Sequence, residues 1–253
     1  MAQLPTELYP NFAAAVQAGQ LVALATVIDG EGVGNKLLVW PAGRCAGSLG
    51  STAVDDQVRQ RAMGLLAAQR TERFSIPTAT GICEVFVEVH APPPKLIIVG
   101  AVHIAIPLVT FAKALGYATV VLDARDAFAT PERFAHADQL IVEWPADILP
   151  TLGIDESTFI VVLTHDEKID NPTLAVALRS PARYIGALGS KKTHARRVAA
   201  LQAAGLTAAE LARLHAPIGL QLGARRPEEI AVSIIAQMVA VANGNAEYRT
   251  VEQ

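Results

Sequence analysis

Residues 95–109 read KLIIVGAVHIAIPLV. The stretch begins as a buried strand, turns at Gly100, and ends with apolar residues at helical spacing. A strand that passes through glycine into a helix opens many α/β domains. In a dinucleotide-binding turn the joint carries G-x-G-x-x-G. Here those positions hold Gly100, Val102 and Ala105. The second glycine lets a pyrophosphate approach the backbone, whereas a β-branched side chain projects into that space and resists positive φ. The fold signal is therefore strong and the dinucleotide signal weak. Gly100 serves either a ligand or only a tight turn under a packed helix.

The alternation continues along the chain. Strands are expected over 96–99, 119–122, 139–142, 159–163 and 184–188, with helices over 104–115, 172–179 and 191–204. Thr207 and Glu210 make a capping box. Pro227 suits the first position of a last helix whose core face carries Ile230, Ile234 and Met238. Strands that are apolar throughout, separated by helices, imply a parallel sheet with helices on both faces. This α/β domain is expected over 95–253, after the semi-rigid spacer APPP at 91–94.

Residues 1–90 are expected to form a smaller N-terminal α+β domain. Thr6 is placed to cap a helix carrying Leu8, Phe12, Ala15 and Val16 on one face. The runs LVALATVID and NKLLVW, joined by GEGVG, read as a hairpin. A glycine-rich loop, PAGRCAGSLGST, leads into the helical AVDDQVRQRAMGLLAAQR, and GICEVFVEV closes the unit as a strand.

Composition limits the function classes. Of the 253 residues, 51% are apolar and 18% charged, and the net charge of -3 comes without a block of like charges. That argues against a nucleic-acid binder, which would carry a basic face. No signal peptide is read at the start, and the longest apolar stretches are too short to cross a bilayer. Cys45 and Cys83 lack metal-ligand spacing, so no metal site is expected and both read as free thiols in a reducing cytoplasm.

Polar residues gather where strands end. Gly100 lies at the carboxyl end of a parallel strand, where ligands bind such sheets, and the following helix start suits phosphate. Asp123 follows about twenty residues later, placed to accept hydrogen bonds from ribose hydroxyls or another polar head group. His103, near a positive helix end, should favour its neutral form and meet either a ligand or a loop carbonyl. Thr164, His165 and Asp166 follow the apolar FIVVL. The His–Asp pair suggests acid–base chemistry, but no serine or cysteine nucleophile is placed beside it, so no catalytic residue is assigned.

In YIGALGSKKTHARR, Ser190 caps a helix whose first two turns carry Lys191, Lys192, Arg196 and Arg197. Cations there oppose the helix dipole, which makes sense where an anion binds. A phosphate-bearing ligand and a solvated basic face both remain open. HAPIGLQLGARRPEEIA reads as an ordered loop with Gly219 and Gly223 at turns, and local physics gives no reason for so much special backbone.

Taken together, GAVHIA, VVLDARDAFATPERFAHAD, VVLTHDEKIDNPTLAVAL, YIGALGSKKTHARR and HAPIGLQLGARRPEEIAVSIIAQMVA resemble the XdhC/CoxI family, accessory proteins of molybdenum hydroxylases such as xanthine dehydrogenase. The N-terminal GRCAGSLGSTAVDDQV resembles the family's glycine-rich segment more weakly. The resemblance implies a Rossmann-like C-terminal half that binds molybdenum cofactor (molybdopterin), a phosphate-bearing pterin dithiolene. It implies that the protein holds the cofactor, supports its sulfuration and delivers it to a molybdenum hydroxylase apo-enzyme. A cysteine desulfurase is a further implied partner. Gly100 and His103 match the family's GAGH turn, Asp123 and Arg125 its acidic and basic positions, His165 and Asp166 its T-H-D segment, and Gly189, Ser190 and Lys191 its G-S-[KR] turn. Two positions depart from the pattern: Val102 replaces a glycine and Ala53 replaces a cysteine, with Cys45 nearby but out of register.

An accessory chaperone is thus expected rather than an enzyme. The alternatives are an NAD(P)-binding oxidoreductase and a degenerate member acting as a partner-binding scaffold. A homodimer is expected, because both domains carry apolar elements able to pair.

Overall fold

The computed structural model describes residues 8–78 and 81–245, the Lys191 side chain excepted. The expected cap at Thr6 lies outside these residues. The chain divides into two compact units, Met1–Pro92 and Pro93–Gln253.

In the first unit, α1 (Leu8–Gln17) precedes β1 (Val22–Asp29), β2 (Lys36–Val39) and β3 (Cys45–Ser48), followed by α2 (Thr52–Ala68), β4 (Glu72–Thr78) and β5 (Gly81–His90). The strands make one antiparallel sheet in the order β3-β2-β1-β5-β4. Strand alternation sorts the side chains by face. Ala23, Ala25, Val27, Val85 and Val87 pack with Val54, Val58 and Leu66 of α2, while Val22 and Leu38 pack with Leu8 and Ala15 of α1. The segment expected as a glycine-rich loop thus contains an edge strand. Its sequence CAGS has no apolar alternation, and only its pairing with β2 reveals it.

The second unit runs β6 (Lys95–Val99), α3 (Ala105–Ala114), β7 (Ala118–Leu122), α4 (Pro131–Phe134), β8 (Gln139–Ile141), α5 (Pro145–Ile148), β9 (Thr158–Val162), α6 (Glu167–Arg179), β10 (Tyr184–Ala187), α7 (Lys191–Ala203), α8 (Ala208–Leu211), β11 (Leu214–His215) and α9 (Pro227–Ala242). Its six strands are all parallel, in the order β11-β10-β9-β6-β7-β8. Leu96 and Ile98 face a core that includes Leu108 of α3 and Ile234 and Met238 of α9. Ile97 and Val99 face the opposite core, with Leu174 and Leu178 of α6 and Leu201 of α7. Both faces are covered, as uniformly apolar strands require.

The helix expected to start at Pro172 starts earlier, at Glu167, with Pro172 inside it. Asp166 is its cap, accepting a hydrogen bond from the Lys168 N–H at 2.9 Å. Pro172 is the sixth residue of the helix and forgoes one intrahelical N–H bond, yet the helix runs through it, so the Asp166 cap rather than the proline sets the boundary. Among the described residues no helix is long and apolar enough to cross a membrane.

Candidate functional site

Strand order reverses between β6 and β9. The crevice beyond their carboxyl ends is where such sheets hold ligands. In this protein the crevice is bridged by protein. Gly100 has φ 110, and a Cβ on it would lie 2.8 Å from Thr164 Cγ2 and 3.0 Å from Thr164 N. The glycine is required by close approach of the loop that follows β9. Val102 has no positive φ and packs, half-buried, against the core shared by α3 and α9. Its side chain belongs to that core, which answers the question raised by the missing second glycine.

Asp123, at the end of β7, is fully buried. It accepts from the Ala101 N–H at 2.8 Å, from the Arg125 N–H at 3.0 Å, and from Arg125 Nε and Nη2 at 2.9 and 2.8 Å. Burial alone pushes this carboxyl up, but the Arg125 side chain and the two backbone donors outweigh it and hold it below its ordinary range. The carboxylate therefore staples the Gly100 turn. Both oxygens are committed, so it has little left for a ribose. Arg125 itself is raised by its hydrogen bond to Asp123 and feels the charges of Asp166 and Asp170.

A second buried pair follows. Thr164 Oγ1 donates to Asp170 Oδ1, and Arg197 Nη2 donates to Asp170 Oδ2 at 3.0 Å and to the Leu188 carbonyl at 3.1 Å. Asp170 and Arg197 are 2% and 4% exposed. Burial raises the Asp170 carboxyl, and the Thr164 hydroxyl and Arg197 charge only partly oppose it. Contacts thus run from Arg125 through Asp123, the Gly100 turn, Thr164, Asp170 and Arg197 to the end of β10.

Among the expected site residues, Gly100, Asp123 and Arg125 meet at one end of this chain of contacts. Gly189 meets it at the other, close to Arg197. Ser190 caps α7, accepting from the Thr193 N–H at 3.1 Å. Lys191 begins that helix. His103 and His165 are exposed, and His165 has φ 64, a strained value for a side-chain-bearing residue. Of the expected basic face, Arg196 pairs with Glu167 at 2.7 Å in solvent, whereas Arg197 turns inward.

Sequence reasoning missed Thr164 and Asp170 as the hub of this edge. A signal existed: Asp170 falls in phase with the buried stripe Thr173, Leu174 and Ala177, and Arg197 with Leu201. A charge in step with a core stripe needs a buried partner. The puzzling loop before α9 also has a packing cause. The Gly219 N–H donates to Gln237 Oε1 at 2.8 Å, and a Cβ there would collide with Ser233 Oγ.

A cleft of about 250 Å³ lies at the opposite, amino edge of the sheet, lined by Lys95, Thr119, Asp138 and Leu152 among others. Its charges are spent internally: Lys95 donates to the Gly153 carbonyl at 3.1 Å, and Asp138 accepts from Lys113 at 2.6 Å. In the first unit, Ala53 is exposed in the first turn of α2. Partial desolvation and the nearby Asp55 and Asp56 push the thiol of the surface residue Cys45 up against the pull of Arg59.

Comparison with known proteins assigns the fold and the kinship. The family model of the XdhC Rossmann domain matches residues 96–238, and that of the XdhC and CoxI family matches residues 15–76. Relatives include the "Uncharacterized protein YqeB" of Escherichia coli (strain K12), 27% identical over 87% of this chain and 43% of its own length. A probable xanthine dehydrogenase subunit of Bacillus subtilis (strain 168) is 31% identical over 68% of this chain and 50% of its own. The "Molybdenum cofactor insertion chaperone PaoD" of Escherichia coli (strain K12) is 34% identical over 35% of this chain and 28% of its own. The chain spans half or less of the length of these relatives, and their names give the nicotinamide reading no support. A crystal structure described as a xanthine dehydrogenase from Bacillus halodurans shares the fold, with a TM-score of 0.56 and 23% identity over 94% of this chain and 96% of that one. With the Rossmann-domain match covering more than half of its length, the chain belongs to the XdhC and CoxI family.

Proposed function

We propose that this chain is a molybdenum cofactor chaperone of the cytoplasm. It holds the cofactor, protects it, supports its sulfuration and delivers it to the apo-form of a molybdenum hydroxylase of the xanthine dehydrogenase type. A cysteine desulfurase as sulfur donor and a homodimeric state belong to the same proposal. The observation that carries the reading is the family match over residues 96–238, which spans every expected rim residue from Gly100 to Lys191.

The rim fits holding better than turnover. Asp123 and Asp170 are both buried and committed, so neither is disposed to take a proton from a substrate. In this reading Gly189, Ser190 and Lys191 receive the phosphate, while His103, His165 and Asp166 meet the polar edge of the pterin. Asp123 acts through the Gly100 turn and Arg125 rather than by contact. The cofactor, when bound, supplies the dithiolene and its metal, and the residues of this chain bind, orient and shield it.

The test mixes the purified chain with molybdenum cofactor, separates the mixture by gel filtration, and adds the protein fraction to an apo-hydroxylase. Co-elution and faster activation than by free cofactor are expected. A cofactor that elutes alone and gives no gain in activation overturns the proposal.

A further inference from the structure

The turn from β10 into α7 holds a donor that the protein does not use. Arg197 is 4% exposed, and its Nη2 is spent on Asp170 and on the Leu188 carbonyl. Its Nη1 is buried and has no hydrogen-bond partner among the described residues. Orphaned buried donors are rare in folded proteins, and each calls for a reason.

Position supplies one. A Cβ on Gly189 would lie 3.5 Å from Arg197 Nη1 and 3.3 Å from Thr193 Cβ and Cγ2. Nη1 thus lies directly beneath the turn that enters α7. Above it stands the start of a 13-residue helix, with Ser190 as cap and no acidic residue in the first turn. The early N–H groups of a helix carry partial positive charge. Helix end and guanidinium face the same turn from two sides. Asp170 pairs with Nη2 and offsets the guanidinium charge, so Nη1 offers the turn an unused hydrogen-bond donor rather than a free cation.

We infer that the β10–α7 turn is the seat of a phosphate-type oxyanion, with Arg197 Nη1 as its floor and the first turn of α7 as its wall. A tetrahedral group presents oxygens in several directions and so reaches both floor and wall, whereas a carboxylate presents two oxygens in one plane. Seating requires the turn to lift off Nη1. Glycine at 189, with φ 155 and no side chain, keeps that movement small. The inference deepens the cofactor reading and rests on it for what bears the phosphate. The seat itself is testable with free orthophosphate.

Orthophosphate is titrated into the full chain at constant ionic strength, with chloride as reference, and the melting temperature is followed. Binding to the folded state raises it by mass action. A rise beyond that given by chloride is expected, and Gly189→Ala, which places a methyl 3.5 Å from Nη1, should weaken the apparent affinity at least tenfold. The double variant Asp170→Asn with Arg197→Gln removes the guanidinium without leaving a lone buried charge, and should abolish the response. Should it fail to fold, Gly189→Ala decides alone. No effect beyond chloride in the parent, or an unchanged response in Gly189→Ala, overturns the seat. Cofactor retention is measured in parallel. Phosphate binding without retention of cofactor overturns the chaperone reading and leaves the seat standing. Cofactor retention undiminished in Gly189→Ala, together with an unchanged phosphate response, overturns the seat and leaves the chaperone reading standing.

Discussion

Two glycine turns lie at the carboxyl edge of the same sheet, and they differ in what they leave open. The β6–α3 turn resembles a nucleotide turn, yet its glycine is pressed against Thr164 and its amide is held by Asp123. The β10–α7 turn has no G-x-G-x-x-G pattern, yet an unpaired guanidinium nitrogen lies under its glycine. A motif therefore reports how tightly a turn is drawn. Which turn meets a ligand depends on the donors left over once the protein has satisfied itself. The carboxylates behind the two turns differ in the same sense. Asp123 receives four donors and is held ionised, whereas Asp170 has fewer donors and is pushed up by burial.

The largest expected effect concerns the Asp170–Arg197 pair. Arg197→Met leaves a buried carboxylate without its cation and should cost about 3–5 kcal/mol in urea unfolding. Adding Asp170→Leu should recover a large part of that cost, as a double-mutant cycle would read. Additive losses would mean that the two residues do not act as a pair.

Gly100→Ala should cost about 2–4 kcal/mol, since the new methyl must enter the space of Thr164 at a φ that alanine resists. Gly189→Ala should cost less, about 1–2 kcal/mol, because its φ strains alanine but its nearest contacts, to Thr193 at 3.3 Å, are looser than those at Gly100. Equal costs would erase the distinction between the two turns.

The two aspartates should also give opposite pH signatures. Asp123 is depressed in the folded state, so its contribution is complete above the ordinary value of about 3.9 and is lost as pH falls through the folded value. Asp170 is raised, so the folded state binds the extra proton, and its contribution falls as pH rises from about 3.9 through the folded value. Unfolding midpoints against pH for Asp123→Asn and Asp170→Asn check this. The difference from the parent should shrink on acidification for Asp123→Asn and move the other way for Asp170→Asn. Parallel curves would contradict the assignment. The smallest effect is expected at the exposed Arg196–Glu167 pair, where Arg196→Ala should change stability by less than about 0.5 kcal/mol.

The parallel sheet was legible because LIIV, TVVL and FIVVL are apolar throughout and separated by helical spacing. Strand β3 and the two-residue β11 were not, since short edge strands carry no periodicity of their own. The start of α6 was misplaced because Pro172 draws attention away from the Asp166 cap. At the rim, the positions at strand ends could be read from sequence, but side-chain direction could not. Asp123 looks like a ligand group in the sequence and staples the Gly100 turn in the fold, and Arg197 splits, with Nη2 paired inside and Nη1 unpaired among the described residues. Thr164 reads only as one of three polar residues after FIVVL, and it is the residue that makes Gly100 necessary.

The most direct test of the account is equilibrium binding of molybdenum cofactor to the full chain, with the parent and Gly189→Ala side by side. The account predicts saturable binding by the parent, competed by orthophosphate, and binding at least tenfold weaker in the variant. A parent that does not bind the cofactor at all would contradict it.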